Sequence, residues 1–166
     1  MSLDTTFPRL ADDLHDEVSE QLGAYAREAG VRIVPESIRV CVSRDVRLAA
    51  AVSREYAAST FAGGAKEPVV VVFYIQGRVG GDLPGPGFYV ARVVRDGNQR
   101  LVVVADKGGK DVLKVPVTIT CDPEPVAAAS SGCCSQPTVG ENYICTGFSC
   151  CNEIGGCITH EFCFAI

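Results

Sequence analysis

With 166 residues and 17.5 kDa, the chain has room for one domain of ordinary size plus an appendage, which excludes a large multidomain enzyme. A hydrophobic fraction of 47% against 21% charged residues excludes wholesale disorder, and a formal net charge of -5 argues against a nucleic-acid partner, because neutralising phosphates needs a basic face. No apolar run reaches the ~18 residues of a membrane-spanning helix, and the opening MSLDTTFPRLADDLHDEVSEQ lacks the basic start and apolar stretch of a secretory signal, so cytoplasmic synthesis is expected.

Leu10, Leu14, Val18, Leu22, Tyr25 and Ala29 recur at three- and four-residue spacing, which predicts a helix opening at Asp12 and Asp13 and stopping at Gly30. Ile38, Val40 and Val42 alternate with polar or small residues, as in a half-buried strand. Ser43 or Asp45 then caps an expected second helix through about Phe61, with Leu48, Val52 and Tyr56 one turn apart and Gly63-Gly64 ending it. Val69 to Ile75 reads as a central strand and 77–87 as loop. Three further strands are expected over 88–95, 99–105 and 111–121, separated by the turn sequences Asp96-Gly97-Asn98 and Asp106-Lys107-Gly108-Gly109-Lys110. The fold class expected is α+β: two N-terminal helices packed on a mainly antiparallel sheet, followed by a Cys-rich irregular tail.

This first part shows no catalytic constellation, so no enzymatic activity and no cofactor are expected. His15 stands among Asp12, Asp16 and Glu17, as solvated helix charge does. Gly77-Arg78-Val79-Gly80-Gly81 follows a strand but lacks the Lys and the succeeding helix of a phosphate loop. Cys41 reads as a small buried hydrophobe, and Cys121 simply ends a strand.

Composition breaks near residue 130. All 15 Lys and Arg precede Ser130, whereas the tail holds seven of the nine cysteines: Cys133, Cys134, Cys145, Cys150, Cys151, Cys157 and Cys163. Between the parts lie prolines and small residues suited to an exposed linker and to protease entry. The division expected is therefore a folded leader or recognition domain over 1–121, a linker with a candidate cleavage region over 122–132, and a Cys-rich core peptide over 133–166.

Three chemistries fit the tail. Metal ligation would use Cys157 and His160 with Cys163, in C-x-x-H-x-x-C, plus Cys150 or Cys151 as a fourth donor to zinc or another thiophilic ion, although no C-x-x-C is present. A disulfide framework would staple a segment with too little core of its own, although seven thiols are odd in number and the cytoplasm is reducing. The third chemistry uses the hydroxyls as well. Ser130, Ser131, Ser135, Thr138, Thr146, Ser149 and Thr159 equal the thiols in number, and dehydration of such residues yields alkenes to which thiolates add as thioethers.

This layout of leader, small-residue junction and Cys/Ser/Thr-rich C-terminal core resembles precursors of ribosomally made, post-translationally modified peptides, lanthipeptides above all. Gly156-Cys157-Ile158-Thr159-His160-Glu161-Phe162-Cys163 looks like the C-T-x-T-x-E-C and T-H-E-C segments of mersacidin-like and lacticin-like lantibiotics, with Phe162 standing between Glu161 and Cys163. The resemblance implies an antimicrobial or signalling peptide in which all seven thiols are crosslink donors. Ser135, Thr138, Thr146, Ser149 and Thr159 become dehydrated residues, Thr159 and Cys163 a ring pair, and Glu161 the target-recognition carboxylate. It also implies a dehydratase/cyclase and a processing protease or peptidase-transporter as partners, a membrane or cell-wall precursor as the product's target, and a secreted mature peptide. The alternative is a non-enzymatic, metal-binding or disulfide-bonded Cys-rich binding or redox protein.

Overall fold

The computed structural model describes residues 3–43, 46–59, 67–122, 132–151 and 156–166. The proposed cap at Asp45, the Gly63-Gly64 stop, the body of the linker with Ser130 and Ser131, and the side chains of His15 and Cys121 lie outside what is described.

One long helix, α1 (Leu3–Glu28), opens the chain. It stops where the sequence predicts. Gly30 adopts φ +74°, and the bonds Val31 N to Ala26 O (2.9 Å) and Gly30 N to Arg27 O (3.1 Å) close the last turn in a Schellman motif. A single 3-10 turn, Pro35–Ser37, leads into β1 (Arg39–Val42) and β2 (Val46–Val52), and a short helix α2 (Arg54–Ser59) follows. The chain then runs through β3 (Val69–Gly77), β4 (Gly87–Asp96), β5 (Gln99–Asp106) and β6 (Asp111–Pro116). These six strands form one antiparallel meander in the order β1-β2-β3-β4-β5-β6. A second antiparallel sheet, ordered β7-β10-β9-β8, comprises β7 (Thr118–Asp122), β8 (Gly132–Val139), β9 (Tyr143–Cys151) and β10 (Cys157–Ala165).

The α+β expectation of two helices on a sheet with an irregular tail is overturned: the protein is mostly β, with ten strands among the described residues. The second expected helix is largely strand β2. Its Leu48, Val52, Tyr56 spacing fits a helix face, and Ala49-Ala50-Ala51 favours helix intrinsically. Burial decides otherwise, because β2 is covered on both faces: Leu48, Ala50 and Val52 pack toward the second sheet, Ala49 and Ala51 toward α1. Among the described residues of that stretch, only α2 is helical. Ser53 caps it, accepting from Tyr56 N at 2.9 Å and donating to Val69 O.

The expected long strand over 111–121 divides at Val117, after Pro116, which has no N–H for a continued ladder. There the chain leaves the first sheet, and β7 pairs with β10. The tail expected to be irregular supplies β8, β9 and β10.

Three layers result. On one side of the first sheet, Val18, Leu22 and Ala26 of α1 cover Ala49, Ala51, Val72, Phe88 and Val90. On the other, Ile144, Phe148, Phe162 and Phe164 of the second sheet interlock with Leu48, Phe73, Ile75, Tyr89 and Val104. The aromatic contacts run through Phe73, whose ring centroid lies 5.4 Å from Tyr89, 5.8 Å from Phe164 and 6.3 Å from Phe162.

Candidate functional site: the cysteine-rich sheet

Strand alternation places the side chains of the second sheet. On β10, Ile158, His160, Phe162 and Phe164 face the core, which leaves Cys157, Thr159, Glu161 and Cys163 on the outer face. On β9, Ile144, Thr146, Phe148 and Cys150 point inward, with Tyr143, Cys145, Ser149 and Cys151 opposed to them.

Six of the seven tail thiols are joined as Cys133–Cys150, Cys145–Cys163 and Cys151–Cys157, each with Cα atoms 4.1 Å apart. Each bridge joins residues that are register partners on neighbouring strands. The close Cα approach is that of residues facing each other between flanking pairs of ladder hydrogen bonds. Two bridges lie on the outer face, Cys145–Cys163 and Cys151–Cys157, whereas Cys150 is buried in the sandwich core. Cys134 is free, as is Cys41 in the first sheet. The Cys134 Sγ lies 3.3 Å from Ser149 Oγ, its partner across β9.

The candidate hydroxyls divide by face. Ser135 points inward, and its Oγ lies within hydrogen-bond distance of two carbonyls, Ser37 O at 2.7 Å and Ala50 O at 3.1 Å, tying β8 to the first sheet. Thr146 is buried, with no hydrogen-bond partner for its Oγ1 among the described residues. Thr138, Ser149 and Thr159 belong to the outer face, where Thr120, Thr159, Ser149 and Cys134 make one row across all four strands. Thr159 and Cys163, the expected ring pair, lie four residues apart along one extended strand, a separation of roughly 13 Å. Glu161 is exposed in the next row, between Thr118 of β7 and Gly147 of β9. Its carboxylate leans over Gly147, where a Cβ would lie 3.7 Å from Oε2.

The metal-donor set does not converge. Cys157 and His160 are an odd number of residues apart on one strand and so point to opposite faces, and Cys157, Cys163 and both candidate fourth donors, Cys150 and Cys151, are already bridged. Among the described residues no group of three or more His, Cys, Asp or Glu is disposed to hold an ion.

His160 belongs to the core. Its ring stacks on Phe148 at 5.5 Å with an interplanar angle of 3° and meets the edge of Tyr56 at 5.2 Å. The Tyr56 hydroxyl lies 3.0 Å from His160 Nδ1 and 3.1 Å from Ile158 O. A carbonyl can only accept, so the phenol proton goes to Ile158 O while Nδ1–H donates to the phenol oxygen, which satisfies all three groups with a neutral imidazole. Burial first, and the Arg100 charge second, lower the His160 pKa to about 4.

The loop 78–86, which the sequence reads as an inter-strand loop rather than a phosphate loop, clasps the end of β10. Asp82 N donates to Ala165 O at 3.0 Å, and Ala165 N donates to Asp82 Oδ2 at 2.9 Å. Gly81, at φ +65°, lets the loop come this close, because a Cβ there would lie 2.7 Å from Ala165 O.

Sequence reasoning missed Tyr56 and the inward role of Ser135, both of which depend on contacts about a hundred residues apart in sequence. One signal was available. The alternation Ile158, His160, Phe162, Phe164 is as regular as that of β1 and marks a half-buried strand. Compared with protein families, with curated proteins and with solved structures, the chain matches none.

Proposed function

We propose that this chain is a non-catalytic, disulfide-stapled binding protein that matures in an oxidising compartment. The observation that carries the reading is the pairing of six thiols across neighbouring strands at register partners, three bridges within a four-stranded sheet. A sheet stapled in this way is a rigid platform. Its outer face presents hydroxyls, an exposed carboxylate at Glu161 and two disulfides, and its strands contain no Lys or Arg. Among the described residues no buried, perturbed nucleophile or acid–base pair opens onto that face, and His160, whose pKa is shifted, is locked beneath it.

The thioether reading asks the same thiols to add to dehydrated Ser and Thr side chains. Ser135 and Thr146 are poor candidates as placed, since both are buried in the sandwich and Ser135 is hydrogen-bonded to the first sheet.

Intact mass before and after reduction tests the proposal on protein recovered from its native host. The expected result is a chain six hydrogens lighter than the reduced form, which gains six alkylatable thiols on reduction and loses no water. A mass lower by one or more waters, with thiols still blocked after reduction, would overturn it.

A further inference from the structure

We propose that the cleft beside the C-terminal half of α1 binds an extended acidic peptide segment of a partner protein. The cleft, of about 990 Å³, lies between α1 and the segment 30–38, and a second of about 550 Å³ adjoins it, sharing Gly30, Val31, Arg32 and Arg54. Both volumes fall within the range of sites that accept organic ligands.

Charge selects the ligand. Arg27, Arg32, Arg54, Arg92 and Lys107 line the two clefts, against Glu20, Glu55 and Asp106, in a chain whose net charge is -5. Lys107 is already engaged, with Glu28 at 3.4 Å and above the Tyr25 ring at 4.6 Å, and Asp106 Oδ1 accepts from Gly108 N and Lys110 N. None of the four arginines has a carboxylate at ion-pair distance among the described residues. Arg32 and Arg54 are moreover held side by side by the backbone: Arg54 N donates to Arg32 O at 2.8 Å, and Ile33 bridges Ser53. Adjacent like charges repel, and a carboxylate offered to both relieves the repulsion through bidentate contacts.

Shape selects a peptide over a free anion. The walls of the larger cleft include Ala24, Ala26, Val31, Ile33 and Ile38, apolar surface that an inorganic ion leaves wet but alternate side chains of an extended segment would cover. The carbonyls of Ala26 and Arg27 at the helix end are occupied by the Schellman bonds, so the ligand's carboxylates do not face them bare.

The test is fluorescence anisotropy with a labelled peptide alternating Glu and Val, added to the oxidised full-length chain. Saturable binding that weakens with salt is expected, with no binding of the matching Lys/Val peptide. Arg32→Ala and Arg54→Ala should each weaken binding about tenfold, whereas Arg54→Lys should recover part of the loss by keeping charge without the planar fork. Arg92→Ala is the companion variant should either substitution alter the circular dichroism. Absence of saturable binding, indifference to all these variants, or equal displacement by inorganic phosphate would overturn the proposal, the last marking a simple anion site.

Discussion

Thr146 and His160 show what single side chains contribute in the joint between the two sheets. The Thr146 hydroxyl was removed from water without a partner among the described residues, a burial that costs on the order of 1–3 kcal/mol. Thr146→Val, which keeps the shape and removes the hydroxyl, should therefore raise stability by about 1 kcal/mol in urea unfolding; a loss would reveal a hydrogen bond at that oxygen. His160 has the opposite character, since its polar atom is bonded but its charged form is excluded. With its folded pKa lowered to about 4, the imidazole stays neutral in the fold while the unfolded chain takes up a proton near its ordinary pKa of about 6.5. Stability from this group is thus fully present above pH ~6.5 and is lost as pH falls from there through about 4, by on the order of 2–3 kcal/mol. Unfolding measured at pH 7 and pH 4 for wild type and His160→Gln should show a smaller pH difference in the variant. Equal differences would contradict the neutral, core-bound imidazole.

At the scale of elements, the bridges differ by the length of chain each encloses. Sequence separations of 17 for Cys133–Cys150 and 18 for Cys145–Cys163 correspond to about 3 kcal/mol each in the chain-entropy model. The separation of 6 for Cys151–Cys157 gives about 2 kcal/mol. Replacing both cysteines of each pair by Ser should therefore destabilise least for Cys151–Cys157, as read by unfolding free energies extrapolated to water; the reverse ranking would show that the length of enclosed chain does not set the cost. The loop over 78–86 adds its own clasp to β10, and Gly81→Ala should loosen it, because the new Cβ collides with Ala165 O at 2.7 Å in a backbone conformation that also disfavours alanine. A cost of about 1–2 kcal/mol is expected from thermal or urea unfolding, and an unchanged midpoint would mean that the loop does not hold the strand.

Across the whole molecule, what could be read from the sequence was set by how many layers cover each element. The stop of α1 at Gly30, the central β3 and the β4–β5 hairpin were legible because periodicity and turn residues act locally there. Strand β2 was not, because an alanine-rich run sandwiched between α1 and the second sheet has no polar face to reveal its period. The strands of the tail were hidden for another reason: its cysteine density masks an apolar face, Phe148, Phe162 and Phe164, able to close a sandwich with the first sheet. Pairing of thiols was never legible, since it follows from strand register, and register depends on the completed sheet. Stepwise reduction with differential alkylation, followed by peptide mass mapping that resolves the adjacent Cys150 and Cys151, tests that register most directly. The expected pairing is Cys133 with Cys150, Cys145 with Cys163 and Cys151 with Cys157; any other pairing, or sulfur found bonded to a former Ser or Thr carbon, would overturn the stapled sheet.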